Sequence, residues 1–293
     1  MDWLGSFFFA SSLSCLLVAI TFGPKESWTS IDLYIEEIFL PMFGNIHFWS
    51  RFAISIPLLL LPLLSLLFLI VFVIVEFRAK NPILDLRMLS KNRLFLSTNL
   101  TALFMYTSHY NALVMISFYL QLIRLIDPTE AAFMISAFPL TVVVTSIAVG
   151  KYSKLVSSRE LSALGMAIVA ISLLLMSRLT VTSSILFIEV SLIIMGIGLS
   201  LFAAPNTNAN LSSVKSEDRS LANGMLGTMR HLGQSLSLAI GASTVGLFLS
   251  EDIYSVGGSI SVTEYVGGLS QAFFIGFIIA VIGIFIALIR GNK

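Results

Sequence analysis

Charge is scarce in this sequence. Of its 293 residues 11% are charged and 57% hydrophobic, whereas a soluble domain carries about 25% charged residues. That scarcity excludes an ordinary soluble fold, because so few polar side chains cannot cover a core of this size and lipid has to do it. An excess of one sign is missing too. The formal net charge is +1, which leaves no electrostatic footprint for a nucleic-acid partner. Cysteine is down to one residue, Cys15, so no internal disulfide forms, and its place in an apolar run reads as packing. The three histidines, His47, His109 and His231, are too scattered for a metal site. No H-E-x-x-H, C-x-x-C, Walker loop or G-x-S-x-G is present. Nothing here calls for a cofactor or for catalysis, and the expectation is a protein that is not an enzyme.

Long apolar runs are what the sequence has instead. They fall at roughly 3–22, 53–76, 94–120, 131–150, 161–177, 184–205, 221–249 and 270–289, each near the ~20 residues that a spanning helix needs. Inside lipid a backbone must satisfy its own hydrogen bonds, so runs this long predict α-helices rather than barrel strands. The fold class expected is therefore all-α, a polytopic transmembrane bundle of eight spans. The first run is too long for a signal-peptide core and lacks a basic flank, so no cleaved leader is expected.

The connecting segments set the orientation. With the N-terminus in the cytoplasm, the inner segments hold Arg78, Lys80, Arg87, Lys91, Arg93, Lys151, Lys154, Arg159, Lys215, Arg219, Arg290 and Lys293. The outer ones hold Lys25, Arg51, Arg124 and Arg178, and Arg230 lies inside a span. This asymmetry is the positive-inside pattern and predicts both termini on the cytoplasmic side of a cell membrane. A basic juncture at Glu76–Arg93 divides the chain. Residues 1–93 are expected to hold two spans with a long outer loop containing the Ile38–Phe43 patch and His47. Residues 94–293 are expected to hold a six-helix bundle, of the kind that often divides into two inverted three-helix repeats.

Polar residues inside spans cost about 2.5–3.5 kcal/mol per charge and ask for a reason. At roughly 100° per residue, Asn223, Gly227, Arg230, Gln234, Ser237 and Gly241 fall within about 60° either side of one line on the seventh span. Such a face either lines a cavity, with Arg230 as a fixed charge favouring an ionised carboxylate or holding an anionic group, or packs against another helix through its small residues, with Arg230, two or three turns from the helix start, snorkelling to the cytoplasmic surface. The third span presents Asn99, Tyr106, His109, Tyr110 and Ser117. There His109 is placed to relay protons and the tyrosines to contact an organic cation, unless they too are packing. Glu189, in the sixth span, is the candidate exchangeable carboxylate or else an outer interfacial residue. Pro139 and Pro205 are expected to break their helices.

Several short motifs, in order along the chain, carry a resemblance. They are Asp2-Trp3-Leu4-Gly5 with Gly23-Pro24, Glu76-Phe77-Arg78, Pro82-Ile83-Leu84-Asp85-Leu86-Arg87, Phe118-Tyr119-Leu120-Gln121, and Gly196-Ile197-Gly198 with Pro205. The last and fullest runs from Asp218-Arg219 through Ala222-Asn223-Gly224 to Arg230-His231-Leu232-Gly233-Gln234-Ser235. Together they resemble the 14-helix drug:proton antiporter branch of the major facilitator superfamily, from its seventh helix onward. The resemblance implies the C-terminal half of that fold plus two linker helices, without the first six helices. It implies efflux of amphipathic or cationic organic compounds against protons, working with an N-terminal half that is separately encoded or missing. Two positions depart from the pattern. Lys154 and Ser157 in the loop after Gly150 stand where an aspartate and a glycine are usual, which puts that loop's gating contact in doubt. The alternative reading is a non-transporting remnant or a membrane interaction protein.

Overall fold

A computed structural model describes residues 3–22, 30–34, 53–57, 60–78, 86–152, 156–249 and 261–289. The Ile38–Phe43 patch, His47, the juncture at 79–85, loop residues 153–155 and both chain ends lie outside the described residues. The chain divides into two compact units, Met1–Ile83 and Leu84–Lys293. The sequence reading places the division ten residues later. Asn92 shows why the short helix before it goes with the second unit: its Oδ1 caps the next helix on the Phe95 N–H, and its Nδ2 donates to the Ser213 carbonyl at 2.6 Å.

The first unit is a pair of helices, α1 (Trp3–Phe22) and α2 (Leu60–Arg78). Two short strands lie between them in sequence, β1 (Ser30–Tyr34) and β2 (Ala53–Pro57), paired antiparallel with Ser30 opposite Pro57. The expected span at 53–76 is thus shifted: its first residues form a strand and the helix runs on to Arg78. The extension puts Glu76 inside a helix, where it is buried, although the sequence reading assigned it to the juncture. The two helices are joined by reciprocal bonds. Ser12 Oγ donates to the Ser65 carbonyl and Ser65 Oγ to the Ser12 carbonyl, both at 2.9 Å. Lipid tails are as apolar as leucine, so close backbone approach and hydrogen bonds of this kind hold membrane helices together.

The second unit contains α3 (Leu86–Lys91), α4 (Arg93–Phe118), α5 (Pro128–Ile135), α6 (Ala137–Tyr152), α7 (Ser158–Met176), α8 (Ile185–Ser212), α9 (Arg219–Phe248) and α10 (Val262–Ile289). Among the described residues, six helical segments of the chain are long and apolar enough to cross a membrane by length and composition. The eight-span expectation also counts α4 and α9. These are 26 and 30 residues long but hold a higher share of polar side chains than the other long helices of the bundle, and they pack against each other within it.

Local sequence explains the helix ends. Asp127 caps α5, with Pro128 at the first helical position. Ser157 accepts from the Glu160 N–H at 3.2 Å to start α7, the serine–glutamate spacing of a capping box. A serine therefore serves at the position where the resemblance led us to expect glycine. Pro139 and Pro205 behave differently. The helix is interrupted at Ser136, beside Ile135, whose carbonyl faces the ring of Pro139 and receives no N–H from it. At Pro205 the helix continues unbroken to Ser212, which corrects the expected break and moves the end of this span from 205 to 212. The helical hydrogen bonds before and after Pro205 carry α8 past the one bond that proline cannot make.

The bundle is inverted relative to a soluble fold. Leu140, Val144, Ile147, Leu164, Ile171, Ile278, Ile282 and Phe285 face outward. Thr98, Asn99, Thr101, Ser108, His109, Asn111, Ser172, Ser191, Asn206, Asn210 and Ser237 lie inside with the apolar core of Met105, Ile116, Met166, Leu173, Leu192, Met195, Phe202 and Phe273. An apolar outside and a polar-seeded inside is what a lipid solvent selects. The chain is an all-α membrane-spanning bundle.

Candidate functional site

The site grows from α4 and α9, two helices whose polar faces the sequence placed separately. Glycines bring them together. A Cβ added at Gly233 would lie 2.7 Å from the Leu103 carbonyl oxygen, and one at Gly241 would lie 2.8 Å from Asn111 Nδ2. Between them Ser237, fully buried, accepts the Asn111 backbone N–H at 2.9 Å. The lower edge of the α9 face, Gly233–Ser237–Gly241, is therefore in helix contact. The other edge is open. Asn223, Gly224 and His231 are exposed, Gly227 and Gln234 are half-buried, and nothing lies within 4 Å of where a Cβ on Gly224 or Gly227 would be. Packing through small residues occupies one edge of this face, and the other edge is open.

Arg230 stands where the two edges meet. Eleven residues into α9, it lies about 17 Å along the axis from the helix start. Its Nη2 donates to Thr207 Oγ1 of α8 at 2.7 Å, and its Cζ sits 5.8 Å from the centre of the Tyr106 ring. The guanidinium Nε is buried without a hydrogen-bond partner. Behind it the rings form a relay of contacts, Tyr106 to His109 at 5.6 Å and His109 to Phe138 at 6.3 Å. His109 is fully buried, with its Nδ1 2.7 Å from the Met105 carbonyl. His231 and Gln234 meet on the exposed side at 3.0 Å.

The structure thus gathers Arg230, Tyr106, His109 and Gln234, and leaves other candidates elsewhere. Glu189 sits on α8 eighteen residues before Thr207, about 27 Å away along the axis. It is half-buried near the Ser184 end of the helix. Tyr110 is half-buried one turn beyond Tyr106, and Asn223 is exposed two turns before Arg230. Asn99 is buried next in sequence to Thr98, which belongs to a second polar cluster; its own Nδ2 is on the Phe95 carbonyl and its Oδ1 is without a partner.

Sequence reasoning missed that second cluster and missed Thr207. Asn210 Nδ2 donates to Thr98 Oγ1 at 2.9 Å, Asn206 Nδ2 to the Thr98 carbonyl at 3.0 Å, and Thr101 Oγ1 to Asn206 Oδ1 at 3.1 Å. The run Asn206-Thr207-Asn208 was the available signal. Ending the span at Pro205 turned it into loop. Among the described residues no group of three His, Cys, Asp or Glu side chains could hold a metal ion.

A charged, hydrogen-bonding seam inside a lipid-facing bundle marks a functional face of a membrane protein. The sequence profile of the Major Facilitator Superfamily matches residues 94–292, and the chain belongs to that family. It is 24% identical over 219 residues to the riboflavin transporter RibZ of Clostridioides difficile strain 630, covering 74% of this chain and 47% of RibZ. It is 26% identical over 242 residues to multidrug resistance protein 3 of Bacillus subtilis strain 168, covering 82% and 42%. With multidrug resistance protein Stp of Mycobacterium tuberculosis H37Rv it shares 25% over 251 residues, 85% and 41%. The chain spans less than half the length of each of these relatives. The crystal structure of a bacterial homolog of the human lysosomal transporter Spinster, inward-facing and occupied, matches with a TM-score of 0.56 over 80% of this chain and 57% of that one. At 14% identity that likeness concerns the fold alone.

Proposed function

We propose that this chain supplies the C-terminal half of a 14-helix, proton-coupled multidrug efflux transporter, with residues 1–93 as its two linker helices. In this reading it lies in the cell membrane with both termini in the cytoplasm. It exports small amphipathic organic compounds by rocking against a six-helix N-terminal bundle, whether that bundle belongs to the same polypeptide or to another. Arg230, Gln234, Asn223, Tyr106 and Tyr110 line its part of the pathway. His109 stands behind the aromatic wall, Ser237 ties α9 to α4, Asn99 lies buried two turns before Tyr106 on α4, and Glu189 serves the outer end.

The observation that carries this reading is the open edge of α9. Asn223 and His231 are exposed, with Gln234 half-buried beside them, on a face that lipid cannot hydrogen-bond. A water-filled path or a second bundle has to meet it. The multidrug names of two relatives support the substrate class, and the matched lengths are consistent with a chain that spans part of such a transporter.

The test is the purified 293-residue chain in proteoliposomes with an imposed pH gradient and amphipathic dyes of either charge. No gradient-dependent dye movement is expected from this chain alone, because alternating access needs two walls. Movement by this chain alone would overturn the two-bundle reading. An upstream reading frame encoding six apolar helices that end in a basic loop would supply the other wall, and its co-expression should then restore movement.

A further inference from the structure

The geometry points to Arg230 as the binding group for an organic anion, such as a carboxylate, phosphate or sulfonate carried on a small amphipathic molecule. The inference rests on the reading of the open α9 edge as part of the pathway, and it departs from the cationic substrates that the resemblance implied.

A guanidinium has five N–H donors in one plane. Here one of them is used, on Thr207 Oγ1, and the buried Nε has none. The Tyr106 ring covers a face of the group without satisfying its in-plane donors. No carboxylate reaches it among the described residues. In the second unit the described acids are Asp127, Glu130, Glu160, Glu189, Glu217, Asp218 and Glu264, each at or near a helix end. Of these Glu189 sits farthest into a helix, and it is on the same helix as Thr207 but five turns away. Among the described residues Arg230 is therefore an uncompensated charge about 17 Å along a helix from its start, and an unpaired charge inside a membrane helix is tolerated when it marks a ligand path.

The groups beside it have the same character. Tyr106 Oη makes no hydrogen bond among the described residues. Gln234, one turn on along α9, engages its Oε1 with His231, which leaves its amide N–H groups free to donate. Arginine, tyrosine hydroxyl and amide N–H together offer donors to an oxyanion, and the planar fork of Arg230 matches two of its oxygens. A cation here would meet Arg230 as a like charge, and Thr207 Oγ1 already receives Arg230 and donates to the Ala203 carbonyl at 2.8 Å.

Two xanthene dyes of opposite charge, carboxyfluorescein and rhodamine 6G, test this on the purified full chain in zwitterionic lipid nanodiscs, with empty nanodiscs subtracted. Fluorescence anisotropy should show saturable carboxyfluorescein binding that weakens ten-fold or more in Arg230→Gln and less in Arg230→Lys. Rhodamine 6G should bind no more tightly to the wild type than to Arg230→Gln. Site-resolved phenylglyoxal modification gives a readout on unaltered protein: carboxyfluorescein should slow modification of Arg230 and leave Arg159 unchanged. Absent carboxyfluorescein binding, equal binding by wild type and Arg230→Gln, or no protection of Arg230 would each overturn the assignment. These are equilibrium measurements, so failure of transport in proteoliposomes leaves the assignment standing. Loss of anion binding would leave the two-bundle transport reading in place with another ligand.

Discussion

The seam between α7 and α8 is closed by a glycine on each helix, and a single methyl group should disturb it. A Cβ on Gly198 would lie 2.7 Å from the Gly165 carbonyl oxygen and 2.8 Å from the Val169 backbone nitrogen. One on Gly165 would lie 2.6 Å from the Gly198 carbonyl oxygen. Backbone atoms cannot rotate away, so the helices must part by roughly 0.7 Å to restore ordinary contact. Over-packing of this kind costs about 1–3 kcal/mol, and alanine's better helix propensity offsets it by at most about 1 kcal/mol. Gly198→Ala and Gly165→Ala should each lose on the order of 1–2 kcal/mol. The pair should lose less than the sum, because one displacement relieves both clashes. Gly227→Ala is the control: nothing lies within 4 Å of its added methyl, and about 0.5–1 kcal/mol of gain is expected from propensity. Reversible SDS unfolding in mixed micelles, followed by circular dichroism, measures all four. Gly198→Ala as stable as the wild type, beside a normal gain at Gly227, would refute the argument that close backbone approach holds this seam.

The first unit offers a similar test through hydrogen bonds. Ser12→Ala and Ser65→Ala should each cost about 0.5–1.5 kcal/mol of helix-pair stability. In a double-mutant cycle the two losses should be nearly additive, since each hydroxyl donates to the other serine's backbone carbonyl, which alanine retains; a second substitution that costs nothing would mean the two bonds do not stand independently. Orientation is checked by cysteine labelling in a Cys15→Ala background. Thr182→Cys should react with an impermeant maleimide in intact cells and Val156→Cys only after permeabilisation, and the reverse pattern would invert the topology.

Much about this protein is decided by composition and order alone. With 11% charged residues a chain of this length has to be solvated by lipid, and lipid admits helices whose lengths are read directly from apolar runs. The polar faces of α4 and α9 were legible too, because a 3.6-residue period is a local property. Which residues on those faces meet was not. Ser237 and Gln234 lie three positions apart on one helix, yet Ser237 is sealed against Asn111 and Gln234 is open, a difference set by where α4 crosses. Pro205 reads as a break in any isolated helix, and the neighbours of α8 override it. Thr207 became the partner of Arg230 because the folded bundle brings α8 beside α9, joining residues twenty-three apart in sequence. Local sequence carries period, length and caps. Pairing between helices depends on crossing points and on glycines small enough to permit them, and those exist only in three dimensions.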